Sequence, residues 1–285
     1  MKILQIGAPR VGNFWLWHII QQVIERAGLP NKSLVREHEI HAIADSWELS
    51  RDRQSDIDIL DIEELGLFWR ISSVFRMPVE ELGAYVAQST HVSTQSRFCR
   101  RTPAVLSQFD RCVYLVRDPR DRLLSAASFA FTPYAQKYWP HEALNPVAFV
   151  EEHFDDYMEG WRWHLQDYLE RRDRHDIHFV FYERLLHDFG SELARLMDYL
   201  GVELGDDETR EIAEATALDG AAKNNKAGKW YERLDHRQKG RAVVLCGHLL
   251  DVLDYPRYRR FAADKLPSLP DRACVEGPKK LTASP

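Results

Sequence analysis

The residues with the clearest chemical potential stand at the start of the chain, in the run Lys2-Ile3-Leu4-Gln5-Ile6-Gly7-Ala8-Pro9-Arg10-Val11-Gly12-Asn13-Phe14-Trp15. Ile3, Leu4 and Ile6 predict a buried strand that breaks at Gly7. An apolar-rich helix is expected from Asn13 to about Ala27, stopped by Gly28 and Pro30. A strand, a glycine-bearing loop and a helix N-terminus together bind phosphate: loop N–H groups and the positive end of the helix dipole face one anion, and Arg10 adds a full charge. Gly7 and Gly12 have the spacing of the two Walker A glycines, but Asn13-Phe14 stand where that loop needs Lys followed by Ser or Thr. Without that lysine and the Mg²⁺-binding hydroxyl, triphosphate hydrolysis is disfavoured, and the loop suits an anionic nucleotide handled without a metal. The plainer alternative is a strand–helix turn with a solvated Arg10.

Other chemistry-bearing residues fall after later strands, so the elements that position them matter. Cys112 to Val116 is short, apolar and rich in β-branched residues, as a buried parallel strand is, and it runs into Arg117-Asp118-Pro119-Arg120-Asp121 and a helix carrying Leu123, Leu124 and Ser125. Ala84 to Gln88 reads as another strand, ending at Ser89-Thr90-His91, and Ile177 to Tyr182 as a fourth. Asn145-Pro146 opens a long helix reaching about Arg172, and a further helix from near Ser191 closes at Gly201. This alternation implies an α/β, three-layer, P-loop-containing fold: a central, mostly parallel sheet flanked by helices. Ligands of such sheets bind outside the carboxyl ends of the strands, where this reading places Arg10, His91, Arg117 and Tyr182.

Between these landmarks the sequence says less. Residues 31–83 form a possible acceptor-site insertion within a single domain spanning 1–265. Its acidic cluster (Asp56, Asp58, Asp61, Glu63, Glu64) is expected to be a solvated helix face, or else a lining that favours a cationic acceptor. Phe131, Tyr134, Tyr138 and Trp139 make either an acceptor lid or a hydrophobic satellite cluster. Leu218 to Gly240 reads as a flexible basic loop anchored by Trp230, a last helix covers about Arg241 to Leu253, and residues 266–285 read as a loosely ordered tail.

The 285 residues are 45% hydrophobic and 29% charged, which supports a globular core. A formal net charge of −6 argues against a general nucleic-acid partner, so cations must be concentrated locally to hold an anion. The longest apolar run, Phe14 to Ile20, contains His18 and is too short to span a bilayer. A strand starting at once leaves no room for a signal peptide, and Cys99, Cys112, Cys246 and Cys274 stand singly, without metal-ligand spacing. The expectation is a cytoplasmic protein with reduced thiols and neither a membrane nor a nucleic-acid partner.

Four motifs then line up in order over most of residues 1–255. Pro9-Arg10-Val11-Gly12-Asn13-Phe14-Trp15 resembles the Pro-Lys-x-Gly-[Thr/Asn]-x-Trp loop of sulfotransferases that use 3′-phosphoadenosine 5′-phosphosulfate (PAPS). Arg117 to Ser125 resembles their Arg-[Asn/Asp]-Pro-[Arg/Lys]-Asp signature, with a serine eight places after the arginine. Phe181-Tyr182-Glu183 is similar to their Tyr-Glu after the fourth strand, and Gly228-Lys229-Trp230 to the end of their Arg-Lys-Gly-x-x-Gly-x-Trp loop.

The resemblance implies a transferase moving a sulfuryl group from PAPS to a hydroxyl or amine of a small-molecule, biosynthetic or secondary-metabolite acceptor, releasing 3′-phosphoadenosine 5′-phosphate (PAP), with no metal. It implies that Arg10, Val11, Gly12, Asn13, Phe14 and Trp15 hold the 5′-phosphosulfate, with Arg10 stabilising the leaving phosphate. Arg117 and Ser125 would hold the 3′-phosphate, Tyr182 would lie near the adenine, and Lys223, Lys226 and Gly228 would form the basic loop. His91 would be the general base. Arg10 replaces the usual lysine, and arginine stabilises charge without delivering a proton. Asn224 and Asn225 stand where a lysine and a glycine are expected. His91 has a plain alternative as a structural hydrogen-bonding group, with His18, His38, His41 and His164 as competitors. Arg117 has one as a surface ion pair with Asp118 or Asp121, and Tyr182 one as a core ring. Two other functions fit in part: a P-loop small-molecule kinase using ATP and Mg²⁺, and a non-catalytic nucleotide-binding protein.

Overall fold

The computed structural model describes residues 1–44, 46–218, 227–259 and 265–269. Among these, one seven-stranded sheet contains β1 (Ile3–Ile6), β2 (Asp58–Ile62), β3 (Leu67–Ile71), β4 (Phe75–Pro78), β5 (His91–Thr94), β6 (Arg111–Val116) and β7 (Ile177–Phe181), in the order β4-β3-β2-β5-β1-β6-β7. The strands β2, β5, β1, β6 and β7 are parallel, and β3 and β4 extend one edge in antiparallel fashion. The helices are α1 (Asn13–Arg26), α2 (Leu34–Glu37), α3 (Ile40–Ala44), α4 (Leu82–Gln88), α5 (Thr102–Leu106), α6 (Pro119–Ala130), α7 (Pro133–Tyr138), α8 (Pro146–Glu170), α9 (Tyr182–His187), α10 (Phe189–Leu200) and α11 (Asp206–Ala215). A helical turn at Trp230–Arg233 and a helix at His236–Val252 follow.

Three layers arise because successive strand side chains point to opposite faces. Leu4, Ile6, Tyr114 and Val116 join the core under α8, with Phe154, Met158, Trp161 and Leu165. Ile3, Val113, Leu115 and Val180 join the core under α1 and α10, with Leu16, Ile20, Val23 and Leu196. Local signals set the helix ends. The Asn145 side chain accepts from the N–H groups of Val147 and Ala148, both at 3.0 Å, at the start of α8, and Gly201, at φ 69°, ends α10.

Several expectations are corrected. Ala84 to Gln88 is helical, within α4, and the strand begins only at His91. A short apolar run carries no decisive period, and here Tyr85 and Val86 bury one helical face. The acidic cluster is not a helix face. Asp58 and Asp61 lie in β2, and Asp61 pairs across the sheet with Arg70 at 2.9 Å. The last helix starts at His236, earlier than expected, because Asp235 and Gln238 form a capping box. The basic stretch 219–226 and the tail beyond Leu269 lie outside the described residues.

Asp58 shows how the 31–83 segment is fastened to the sheet. It is buried, and burial pushes its carboxyl up to about 6, while the Val35 N–H donates to it at 2.8 Å. Asp58→Ala strands that buried N–H, so urea unfolding should show a loss of about 1–3 kcal/mol, and Asp58→Asn should recover part of it.

Candidate anion-binding site

Gly12 lets the loop between β1 and α1 close over a ligand. Its φ is 110°, and a Cβ there would sit 2.8 Å from the Tyr182 ring, so only glycine fits between loop and ring. Arg10 is also left-handed, at φ 72°. The Asn13 side chain donates to the Gly7 and Ala8 carbonyls at 3.2 and 3.0 Å, and buried Gln5 in β1 donates to the Asn13 carbonyl at 2.8 Å. No side chain caps α1, so its first turn keeps N–H groups for a ligand.

A cavity of about 670 Å³ opens at the carboxyl ends of β1, β5, β6 and β7. Arg10, Gly12, Asn13, Phe14, Trp15, Arg117, Ser125 and Tyr182 all line it, so the structure brings together residues of the first three motifs, while Gly228, Lys229 and Trp230 of the fourth do not line it. Arg10 points Nη2 toward Ser125 Oγ at 3.4 Å and lies 4.0 Å from the centre of the Phe129 ring. Its Nε is buried with no hydrogen-bond partner among the described residues. Burial, together with the nearby Arg51 and Arg117 cations, lowers its pKa to about 10, and it stays charged at neutral pH. Arg117 stacks 4.1 Å from the centre of the Tyr182 ring, and Tyr182 meets Trp15 edge-on. No Asp or Glu lines the cavity among the described residues.

The remaining predicted residues divide. Val11 packs into the core beneath the loop. Gly228, at φ 83°, donates its N–H to Asp121 Oδ2 at 2.5 Å, which fixes the end of the basic loop against α6. Lys223 and Lys226 lie outside the described residues. His91 does not join the site. It is the first residue of β5, in register with Ile3, at the opposite end of the sheet from Arg10. It is buried, its Nδ1 lies 3.0 Å from Gln21, and burial drives its pKa down to about 3. The histidines that do line the cavity are His141 and His153, which the sequence reading passed over for want of a motif.

Other residues were missed for the same reason. Phe129, Phe149 and Tyr157 join Tyr134 and Trp139 in an aromatic wall, and Phe131 packs behind it against His141. Arg51, Arg70, Ser93 and Gln95 also line the cavity. Arg122 holds the loop from below, donating to the Pro9 carbonyl at 2.7 Å and to the Tyr157 carbonyl at 2.9 Å.

Behind the site, Glu183 is fully enclosed. It accepts from the Asp118 N–H at 2.9 Å and the Tyr255 hydroxyl at 2.7 Å, and burial pushes its carboxyl from 4.5 up to about 7. A raised acid stabilises the fold below its unfolded pKa, and that contribution is lost as pH rises through the folded value. Between pH 5 and 8, urea unfolding should therefore show the wild type losing more stability than Glu183→Gln.

A family model for the sulfotransferase domain matches residues 1–243. Mouse sulfotransferase 2A6 is 26% identical over 124 residues, 40% of each chain, and human sulfotransferase 1C2 is 25% identical over 141 residues, 47% of this chain and 44% of that one. The matched stretch thus spans less than half the length of these curated relatives. Among solved structures, mouse sulfotransferase SULT7A1 complexed with PAP aligns with a TM-score of 0.55 and 17% identity, over 89% of this chain and 85% of that one. A retinol dehydratase in a complex with retinol and PAP aligns with a TM-score of 0.56 and 17% identity, over 92% and 83%. At these identities the likeness is one of fold.

Proposed function

Because the chain belongs to the sulfotransferase-domain family, we propose that it transfers a sulfuryl group from PAPS to a hydroxyl or amine of a small molecule. The observation that carries this reading is the convergence of Arg10 and Arg117 on one cavity with no lining carboxylate among the described residues. Two cations lining one cavity, with no carboxylate in its wall among the described residues, suit a multiply charged anion. The glycine cradle at Gly12 and the partnerless Nε of Arg10 fit a nucleotide phosphate.

In this reading the bound nucleotide supplies an activated sulfuryl group, whose S–O bond to the 5′-phosphate breaks as the acceptor oxygen or nitrogen bonds to sulfur. The loop N–H groups from Arg10 to Trp15 and the Arg10 guanidinium hold the 5′ end and stabilise charge gathering on the leaving phosphate. Arg117 and Ser125, with Lys223, Lys226 and Gly228 of the basic loop, serve the 3′-phosphate, and Tyr182 sits beside the adenine. The acceptor lies against the aromatic wall of Phe129, Tyr134, Trp139 and Tyr157, which suits a flat apolar body. Proton removal falls to His153, which lines the cavity with neither ring nitrogen hydrogen-bonded among the described residues, whereas His141 Nε2 lies 3.1 Å from the Ala130 carbonyl. The free thiols of Cys99, Cys112 and Cys246 support a reducing, cytoplasmic setting. A kinase would need a Lys-[Ser/Thr] pair where Asn13-Phe14 stand.

Calorimetric titration tests the cofactor. PAP should bind without metal and more tightly than ATP with Mg²⁺, and Arg117→Ala should weaken it by about 10- to 100-fold, as loss of a charge-assisted contact does. Preference for ATP with Mg²⁺ would establish a kinase instead. Sulfuryl-transfer assays test the base: His153→Ala should lower kcat by about 10²-fold or more, while folded His91→Ala should keep kcat within about threefold of the wild type.

A further inference from the structure

No sequence motif marks Arg51, yet it lines the same cavity as Arg10 and Arg117. It comes from the segment between α3 and β2, far in sequence from both. The loop that carries it is braced on two sides. The Gln54 side-chain oxygen accepts from the Ser50 N–H at 3.1 Å and the Ser50 hydroxyl at 2.7 Å, and its nitrogen donates to the Ser72 hydroxyl at 2.7 Å. Two arginines of the loop lie over aromatic rings of α1: Arg51 5.2 Å from the Phe14 ring centre, and Arg53 5.4 Å from that of Trp17.

These two arginines differ in one respect. Arg53 has a counter-charge, with Asp56 at 3.1 Å, whereas no carboxylate pairs with Arg51 among the described residues. Arg51 instead faces like charge, close enough to Arg10 for each guanidinium to disfavour the other. It also lies near Tyr182, on the side of the cavity where α1 begins. Arg51 is exposed to solvent in a cavity that two other cations also line, an arrangement that favours an anion in that space. On the sheet side of this space, β5 contributes the uncharged Ser93, and Gln95, also uncharged, follows just beyond its end.

We propose that Arg51 is a further anion-contacting residue of the site, supplied from the 31–83 segment, and that it engages the 5′ end of the nucleotide beside the transferring sulfuryl group. This rests on the sulfotransfer reading. With Arg10 supplied by the loop and Arg51 by the 31–83 segment, the charge freed by S–O cleavage would meet two cations of the cavity wall. The segment between β1 and β5 then contributes to nucleotide binding as well as to the acceptor side.

Three nucleotides separate the contacts: adenosine 5′-phosphate, adenosine 3′-phosphate and the 3′,5′-bisphosphate. Each is titrated into the full-length wild type, Arg51→Ala, Arg51→Lys and Arg117→Ala, with melting curves to verify that the variants fold. Arg51→Ala should weaken the 5′-phosphate and the bisphosphate by about tenfold while changing the 3′-phosphate less than about twofold. Arg51→Lys should recover part of the loss, and Arg117→Ala should show the reverse preference. Unchanged 5′-phosphate affinity in Arg51→Ala overturns the inference while leaving sulfotransfer standing. Equal weakening of both monophosphates also overturns it, since it would reveal a general field and no contact. A wild type that binds none of the three overturns the sulfotransfer reading, and this inference with it.

Discussion

The site depends on how the first turn of α6 disposes of its buried charge. Asp118, Arg120, Asp121 and Arg122 are all withdrawn from water within five residues. Desolvating four ionisable groups is costly unless each finds partners with good geometry. Arg120 is paired with Asp118 at 2.6 Å, donates to the Pro256 and Arg257 carbonyls at 2.8 and 2.9 Å, and lies 3.5 Å from the Trp230 ring centre. Asp121 accepts from Gly228 and Trp230, and Arg122 donates to Pro9 and Tyr157. One helical turn therefore fixes the anion loop, the end of the basic loop and the C-terminal segment relative to each other. Any shift of α6 would leave a charge unsatisfied, which makes the arrangement selective for a single geometry.

Just above this turn the opposite rule holds. Arg10, Arg51 and Arg117 face a cavity with no carboxylate lining among the described residues. The buried charges of α6 are neutralised by close protein partners, whereas among the described residues no carboxylate reaches the cavity wall. Preorganised positive charge of this kind does its work in a water-poor site, where it costs no rearrangement when negative charge moves during reaction. The aromatic wall limits water on the other side, so the two halves of the cavity suit different molecules: a polyanion at the loop and an apolar body at the wall.

Where signals were local, the sequence was readable. The β1–loop–α1 unit, the strand before Arg117 and the Asn145-Pro146 helix start all follow from neighbouring residues, and Arg10, Arg117, Ser125 and Tyr182 do meet at one cavity. The 31–83 segment was opaque because its charges are satisfied across strands, as in Asp61 with Arg70 and Glu63 with Arg76 at 2.5 Å, and no local period records such partners. Arg51 was invisible because no motif marks it and a loop between α3 and β2 brings it to the cavity. His91 failed differently. Reading the helical Ala84 to Gln88 as a strand put His91 at a carboxyl end, whereas it is the first residue of β5, in register with Ile3.

The partners of Arg120 also have a consequence for the order of synthesis. Its guanidinium is satisfied by carbonyls at residues 256 and 257, more than 130 residues downstream, while Arg122, two places on, clamps the loop at Pro9. On a ribosome the sheet can begin to assemble once β6 has emerged, and Asp118 can pair with Arg120 at once, but the two carbonyl acceptors of that buried guanidinium come only with residues 256 and 257. Domains whose decisive contacts are this distant in sequence fold slowly and expose apolar strands in the interval. The bracing of the anion site is thus finished only after residues 256 and 257 have been made.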